Sequence, residues 1–374
     1  MHTLISIFSL IAQVLLVIVL CGNPKALGIF FLIAAALVAL RKSIPAALHN
    51  AYIVFAVAVM ALVTLQFRHL PMVEHPGANP TPAVETGFIG ISYAFLRFVS
   101  ALVESQQWSL QSLVRYFFFL PTFFSGPVIE PRHLQNDKSG FSRVAFSEGL
   151  LRIFEGAVRI CLSYFLMLVI PLGSKLQLSW CLERWSVISL WAGTFLSGVW
   201  LYLNFSGYSE IFIGIARMSG VFPPENFENP YSAVDLTAFW QRWHISLGNW
   251  LRTMVYNPLS RAIMGKTLQG SLVPSLVAPI VTMVVCGFWH SASTAFIIWG
   301  LAHGLWLSGC ALWEIIRKAL IPDSWTLHPA YRTAGWLITH AFIVSTWVFF
   351  LPVDGAVSLD MRLNYLHALF GGKS

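Results

Sequence analysis

The sequence predicts an all-α protein that threads a membrane many times, and three observations carry that expectation. Of 374 residues, 57% are hydrophobic and 10% are charged, where a water-soluble domain carries about 25% charged residues. Mean hydropathy is +0.70. So little polar surface cannot clothe a soluble core of this length, and most of the chain must face lipid. Apolar runs long enough to span, roughly 20 residues each, recur from end to end. Between two of them lies one polar, tryptophan-rich stretch, residues 208–270.

The candidate spans are residues 4–20, 26–40, 51–67, 88–103, 114–128, 153–172, 187–205, 271–288, 294–316 and 334–351, or roughly ten transmembrane or re-entrant helices. Hydrocarbon offers no water to backbone N–H and C=O groups, so each run must satisfy its own hydrogen bonds as a helix. The first run has only His2 ahead of it and no small-residue cleavage site before Lys25, so it reads as a retained helix and not a leader. Pro121 and Gly126 interrupt the run at 114–128, which marks it as a candidate re-entrant segment.

Lys and Arg number 23 against 16 Asp and Glu, a net charge of +7. The basic residues cluster at Arg41-Lys42, between Arg132 and Arg152, and at Arg317-Lys318, in short runs between apolar segments. That pattern fits positive-inside topology and not nucleic-acid binding. The rule places both Arg41-Lys42 and the 130–152 segment in the cytoplasm. Ten simple crossings would put them on opposite faces, so one span must be miscounted or re-entrant. Cys21, Cys161, Cys181, Cys286 and Cys310 form no CxxC pair, which argues against a disulfide framework and a zinc site.

Two histidine segments can carry chemistry. The first runs Trp240-Gln-Arg242-Trp243-His244-Ile-Ser-Leu-Gly-Asn-Trp250-Leu-Arg252. As one helix it would set Trp240, His244, Leu247 and Leu251 on a single face. Either this is an interfacial amphipathic helix with a histidine at headgroup level, or His244 is a working imidazole. The second is Cys286-Gly-Phe-Trp289-His290-Ser-Ala-Ser, with apolar runs on both sides. An imidazole at membrane depth is costly unless paired or facing water, so His290 is either functional or hydrogen-bonded between helices. His303 follows 13 residues later, on roughly the opposite face if the helix were continuous. There is no HxxxH or HExxH pair for a metal, no GxSxG elbow and no Walker A loop. A neutral imidazole near pH 7 can take the proton of an attacking hydroxyl and return it to a leaving thiol.

At these segments the sequence resembles the membrane-bound O-acyltransferases, and within them the bacterial branch that acetylates alginate and other exported polysaccharides. The resemblance rests on blocks in the family's order: Gly90-Ile-Ser-Tyr-Ala-Phe95, Phe119-Leu-Pro-Thr-Phe-Phe-Ser-Gly-Pro-Val128, Tyr202 to Glu210 with Pro224 to Tyr231, Phe239-Trp-Gln-Arg-Trp-His244, Gly287-Phe-Trp-His290 and Thr346-Trp-Val-Phe-Phe350. It implies a single membrane-embedded domain over 1–374, with N-terminal helices at 1–87 and the motif region at 88–372, shaped as a bowl around a central tunnel. His290 matches the family's principal catalytic histidine and His244 the second. Trp240, Arg242, Trp243, Arg252, Asn204, Trp289 and His303, set around them, are the implied substrate-binding residues. The implied donor is acetyl-CoA or another acyl thioester, with no tightly bound cofactor. The implied acceptor is an extracytoplasmic glycan or a partner acetyltransferase, and the implied home is the bacterial inner membrane. D-alanyl transfer from a carrier protein to teichoic acid uses a similar bowl. A polytopic transporter or scaffold with a histidine relay is the reading of another class. The sequence departs from the family pattern where Asn204 replaces the usual Asp, at Thr253, at Ser260-Arg261, at Ser291, Ser293 and Thr294, and at Leu351.

Overall fold

A computed structural model describes residues 2–20, 23–68, 90–104, 108–135, 142–169, 182–183, 186–266, 270–350 and 359–372. Leu351, Cys21, Cys181 and Lys138 lie outside the described residues. The described chain is helical, and its one strand-like pairing is an isolated bridge between Phe227 and Trp243. Among the described residues, five helical segments are long and apolar enough to cross a membrane: Pro24–Ser43, Ala46–Gln66, Val187–Met218, Val273–His290 and Thr294–Leu320. The chain divides into two compact units, Met1–Ile153 with Ser209–Pro224, and Phe154–Tyr208 with Glu225–Ser374.

The first unit holds α1 (His2–Leu20), α2 (Pro24–Leu40), α3 (His49–Arg68), α4 (Ile91–Val103), α5 (Leu110–Phe117), α6 (Pro131–Gln135) and the N-terminal part of α7 (Arg143–Val169). It also holds the C-terminal end of α8 (Val187–Met218). The run expected as a span at 114–128 is not one helix. α5 ends at Phe117, a single 3₁₀ turn covers Leu120–Thr122, and the rest is irregular. Pro121 has no N–H to continue the ladder, so the break frees backbone carbonyls. The guanidinium of Arg97 on α4 meets them. It donates from Nη1 to the carbonyls of Tyr116 (3.1 Å) and Phe117 (2.8 Å), and from Nη2 to Thr122 Oγ1 (2.7 Å). Arg97 is 2% exposed, and a buried cation survives only with its donors satisfied in this way.

Without that crossing, the count that set the two basic segments on opposite faces loses one span. Between Arg41-Lys42 and Glu130 the described residues hold α3, long and apolar enough to cross a membrane, and the shorter apolar helix α4. Arg41 Nη1 donates to the carbonyls of Leu102 and Glu104, at the C-terminal end of α4. Glu104 in turn lies within electrostatic reach of Glu130 and Arg132.

The second unit contains α9 (Leu236–Trp240), α10 (Ile245–Leu251), α11 (Asn257–Met264), α12 (Val273–His290), α13 (Thr294–Leu320), α14 (Asp323–Thr326), α15 (Pro329–Thr346) and α16 (Leu359–Leu369). α12 and α13 form an antiparallel hairpin turning at residues 291–293. It closes tightly because Gly287 and Gly300 carry no Cβ. A methyl at either would collide with the facing backbone, the Phe296 carbonyl for Gly287 and the Met283 carbonyl for Gly300. Small residues at such a contact let two membrane helices gain dispersion energy over their whole length. Beside the hairpin, Ala233, Leu236, Phe239 and Trp243 bury themselves against Ile343, Val344 and Trp347. That core fixes α9 and the turn at Trp243 to the C-terminal end of α15 and the residue that follows it.

Candidate active site

His244 does not continue a helix. α9 stops at Trp240, and His244 takes a left-handed backbone conformation (φ 46°, ψ 51°) before α10 begins at Ile245. The single helical face expected for Trp240, His244, Leu247 and Leu251 is therefore broken between the first two. The break aims His244 at Asn226. Its Nδ1 lies 2.9 Å from Asn226 Oδ1, which also accepts from Ser246 Oγ at 2.7 Å. An amide oxygen can only accept, so the imidazole donates from Nδ1 and carries its lone pair on Nε2. That Nε2 has no hydrogen-bond partner among the described residues, and His244 is 3% exposed. Burial first, then the nearby His290, holds its pKa well below the ordinary imidazole range, so the ring is neutral near pH 7.

His290 is the last residue of α12, at the turn of the hairpin. Four rings surround it: Trp289 at 4.7 Å between centroids, Phe350 at 5.1 Å, Trp299 at 5.7 Å and Phe296 at 5.9 Å. Trp289 also meets His244, at 6.4 Å, so one indole separates the two imidazoles. His303 is not opposite His290 on a common helix, because the turn at 291–293 places them on different helices. Trp299 lies between them, 4.6 Å from His303. His303 uses both nitrogens: Nδ1 accepts from Trp240 Nε1 (3.3 Å), and Nε2 pairs with Thr346 Oγ1 (3.0 Å). Thr346 gives its own proton to the Ile343 carbonyl, so His303 is the donor in that pair.

Of the residues expected at the site, His244, Trp289, His290, Trp240 and His303 thus form one connected aromatic cluster. Trp243 joins it through Trp347, which lies 5.0 Å from Trp243 and 5.8 Å from Phe350. Three others face elsewhere. Arg242 donates to Ser232 Oγ (2.6 Å), Arg252 to Asn249 Oδ1 (2.7 Å), and Asn204 to Ser163 Oγ (3.4 Å). Sequence reasoning passed over Asn226, Trp299, Thr346 and Phe350 as site residues. All stand inside or beside the motif blocks, but none bears a charge in an apolar run, the signal that singled out the histidines.

Membrane-length helices and two imidazoles meeting across an indole in an aromatic cluster define a polytopic membrane protein with a histidine site. The profile of the membrane-bound O-acyltransferase family matches residues 26–350, and the chain belongs to that family. Over 270 residues it is 30% identical to a probable alginate O-acetylase of Pseudomonas syringae, covering 70% of this chain and 48% of that protein. It is 29% identical over 267 residues to a teichoic acid D-alanyltransferase of Streptococcus thermophilus, covering 66% of this chain and 62% of that one. It is 34% identical over 190 residues to a peptidoglycan O-acetyltransferase of Helicobacter pylori, covering 50% of this chain and 32% of that one. The chain spans about half the length of the alginate O-acetylases it matches.

Proposed function

We propose that this protein transfers acetyl groups from acetyl-CoA, through a tunnel in the bacterial inner membrane, to an extracytoplasmic polysaccharide or a partner acetyltransferase. The observation that carries the reading is the pair of imidazoles joined through Trp289, one of them with a bare, buried Nε2. His290 is the general base: it takes the acceptor hydroxyl's proton as oxygen attacks the thioester, then returns it to the departing thiolate. His244, held by Asn226 as a neutral ring, orients the acceptor hydroxyl or shares the proton. Trp240, Trp243, Trp289 and His303 shape the pocket.

Free thiol released from acetyl-CoA by detergent-purified protein measures the reaction. His290→Ala should lower it by ~10²–10⁴-fold, the usual cost of a lost general base, while the variant still elutes as folded protein. A variant keeping half of wild-type activity would sink the assignment. A second reading, D-alanyl transfer to teichoic acid, draws support from the match to the Streptococcus thermophilus enzyme, which covers more of that relative's length. Thiol release from a D-alanyl carrier protein, and none from acetyl-CoA, would select it. A transporter or scaffold would consume neither thioester.

A further inference from the structure

Trp299 is 2% exposed, and its Nε1–H has no hydrogen-bond partner among the described residues. An indole nitrogen can only donate. A buried N–H left unpaired gives up its hydration for nothing, and native proteins leave few such groups without a reason. Trp200 also carries an indole without a hydrogen-bond partner among the described residues, but no described ring contact joins it to His290. Trp299 stands perpendicular to the His290 ring at 5.7 Å. The other indole in the cluster with a described hydrogen bond, Trp240, spends its N–H on His303.

We propose that Trp299 is a catalytic residue whose Nε1–H binds the acyl carbonyl oxygen as that oxygen becomes negative beside His290. The inference rests on the acyl-transfer reading above and adds to it the group that carries the developing charge. In the step, the acceptor oxygen bonds to the thioester carbon, its proton passes to His290, and the C=O π pair moves onto oxygen. That oxyanion accepts from Trp299. When the C=O re-forms, the C–S bond breaks and the thiolate takes the proton back from His290, leaving ester and thiol. His290 and the lone pair of His244 handle the proton, and neither is a fixed donor to the oxyanion. The donor must also be rigid to be effective. Trp299 is clamped by His303 at 4.6 Å, Phe350 at 5.0 Å and Trp240 at 5.8 Å. His303 is itself fixed at both nitrogens, which makes it a positioning residue for this indole.

The decisive variant is Trp299→3-benzothienylalanine, in which sulfur replaces N–H and the ring keeps its shape. Trp299→Phe serves as the simpler companion. The assay follows thiol release from whichever thioester the wild type consumes, acetyl-CoA or a D-alanyl carrier protein. Loss of one oxyanion donor should lower kcat by ~10²–10³-fold. Donor KM should stay within about twofold and the pH–rate profile should keep its shape, because the indole does not titrate. Wild-type kcat in the benzothienyl variant would overturn the proposal even if Trp299→Phe fails to fold. So would a loss confined to KM. His290→Ala separates the two levels of failure. An inactive His290→Ala beside a fully active benzothienyl variant removes the oxyanion role alone, whereas an active His290→Ala removes the acyl-transfer reading beneath it.

Discussion

At the scale of single residues, the left-handed turn at His244 carries a conformational cost of order 1–2 kcal/mol for a side chain with a Cβ. Asn226 offsets it. Its side-chain oxygen accepts from the imidazole and its backbone carbonyl accepts from Ile245 N–H at 2.9 Å, so one residue pins both the ring and the start of α10. If Asn226 acts only by holding that ring, His244→Gln and Asn226→Ala should each lower thiol release by roughly the same 10–100-fold, less than His290→Ala. The double variant should be no worse than either single, since residues acting as one unit are not additive. Multiplied losses would separate Asn226 from His244, and a dead His244→Gln beside an active His290→Gln would reverse the roles of the histidines. The sequence made His290 legible, because an ionisable group between two apolar runs is conspicuous. It made His244 legible as a residue but not in its geometry: the turn is imposed by a partner 18 positions upstream, which helical periodicity cannot register.

At the scale of elements, the long apolar runs were readable because hydrophobic length alone determines them, and α2, α3, α8, α12 and α13 all follow. The run at 114–128 was misleading for a physical reason. Its composition is apolar, but its backbone is broken and satisfied from α4 by Arg97, a charge whose use only the fold reveals. The C-terminal end of α4 offers a test of the same region. Burial, reinforced by the Glu130 carboxylate and opposed by Arg132, pushes the Glu104 carboxyl up to about 7. The folded state therefore binds a proton that the unfolded chain, with an ordinary carboxyl near 4.3, has already lost. This contribution to stability is present at low pH and lost as pH rises toward 7. Glu104→Gln should then raise the thermal midpoint in detergent at pH 8 and change it little near pH 4. An equal shift at both pH values would show that the carboxyl does not titrate between them.

For the whole molecule, the net charge of +7 must serve topology, substrate binding or both. If acetyl-CoA is the donor, as proposed above, its phosphates cannot enter hydrocarbon and would seek basic side chains outside it. The segment after His244 carries exposed basic side chains. α10, a π-helical turn over Arg252–Tyr256 and α11 follow one another without a break, and π turns of this kind recur at functional sites. Arg252, Arg261 and Lys266 are exposed along it. Among these three only Arg252 has a described side-chain hydrogen bond, a single one to Asn249 that a phosphate could replace. Ordinary positive-inside charge would also put basic residues here, and kinetics distinguishes the two roles. If these side chains hold the donor's phosphates, Arg252→Glu or Arg261→Glu should raise the KM for acetyl-CoA several-fold, with the amount of inserted protein unchanged. KM should also climb with ionic strength in the wild type, and less steeply in the variants, because exposed charge pairs are screened over ~8 Å at physiological salt. If they serve topology alone, donor KM should stay constant while insertion falls. Constant KM in both variants would remove this segment from donor binding and direct the search to Arg132, Arg143 and Arg152.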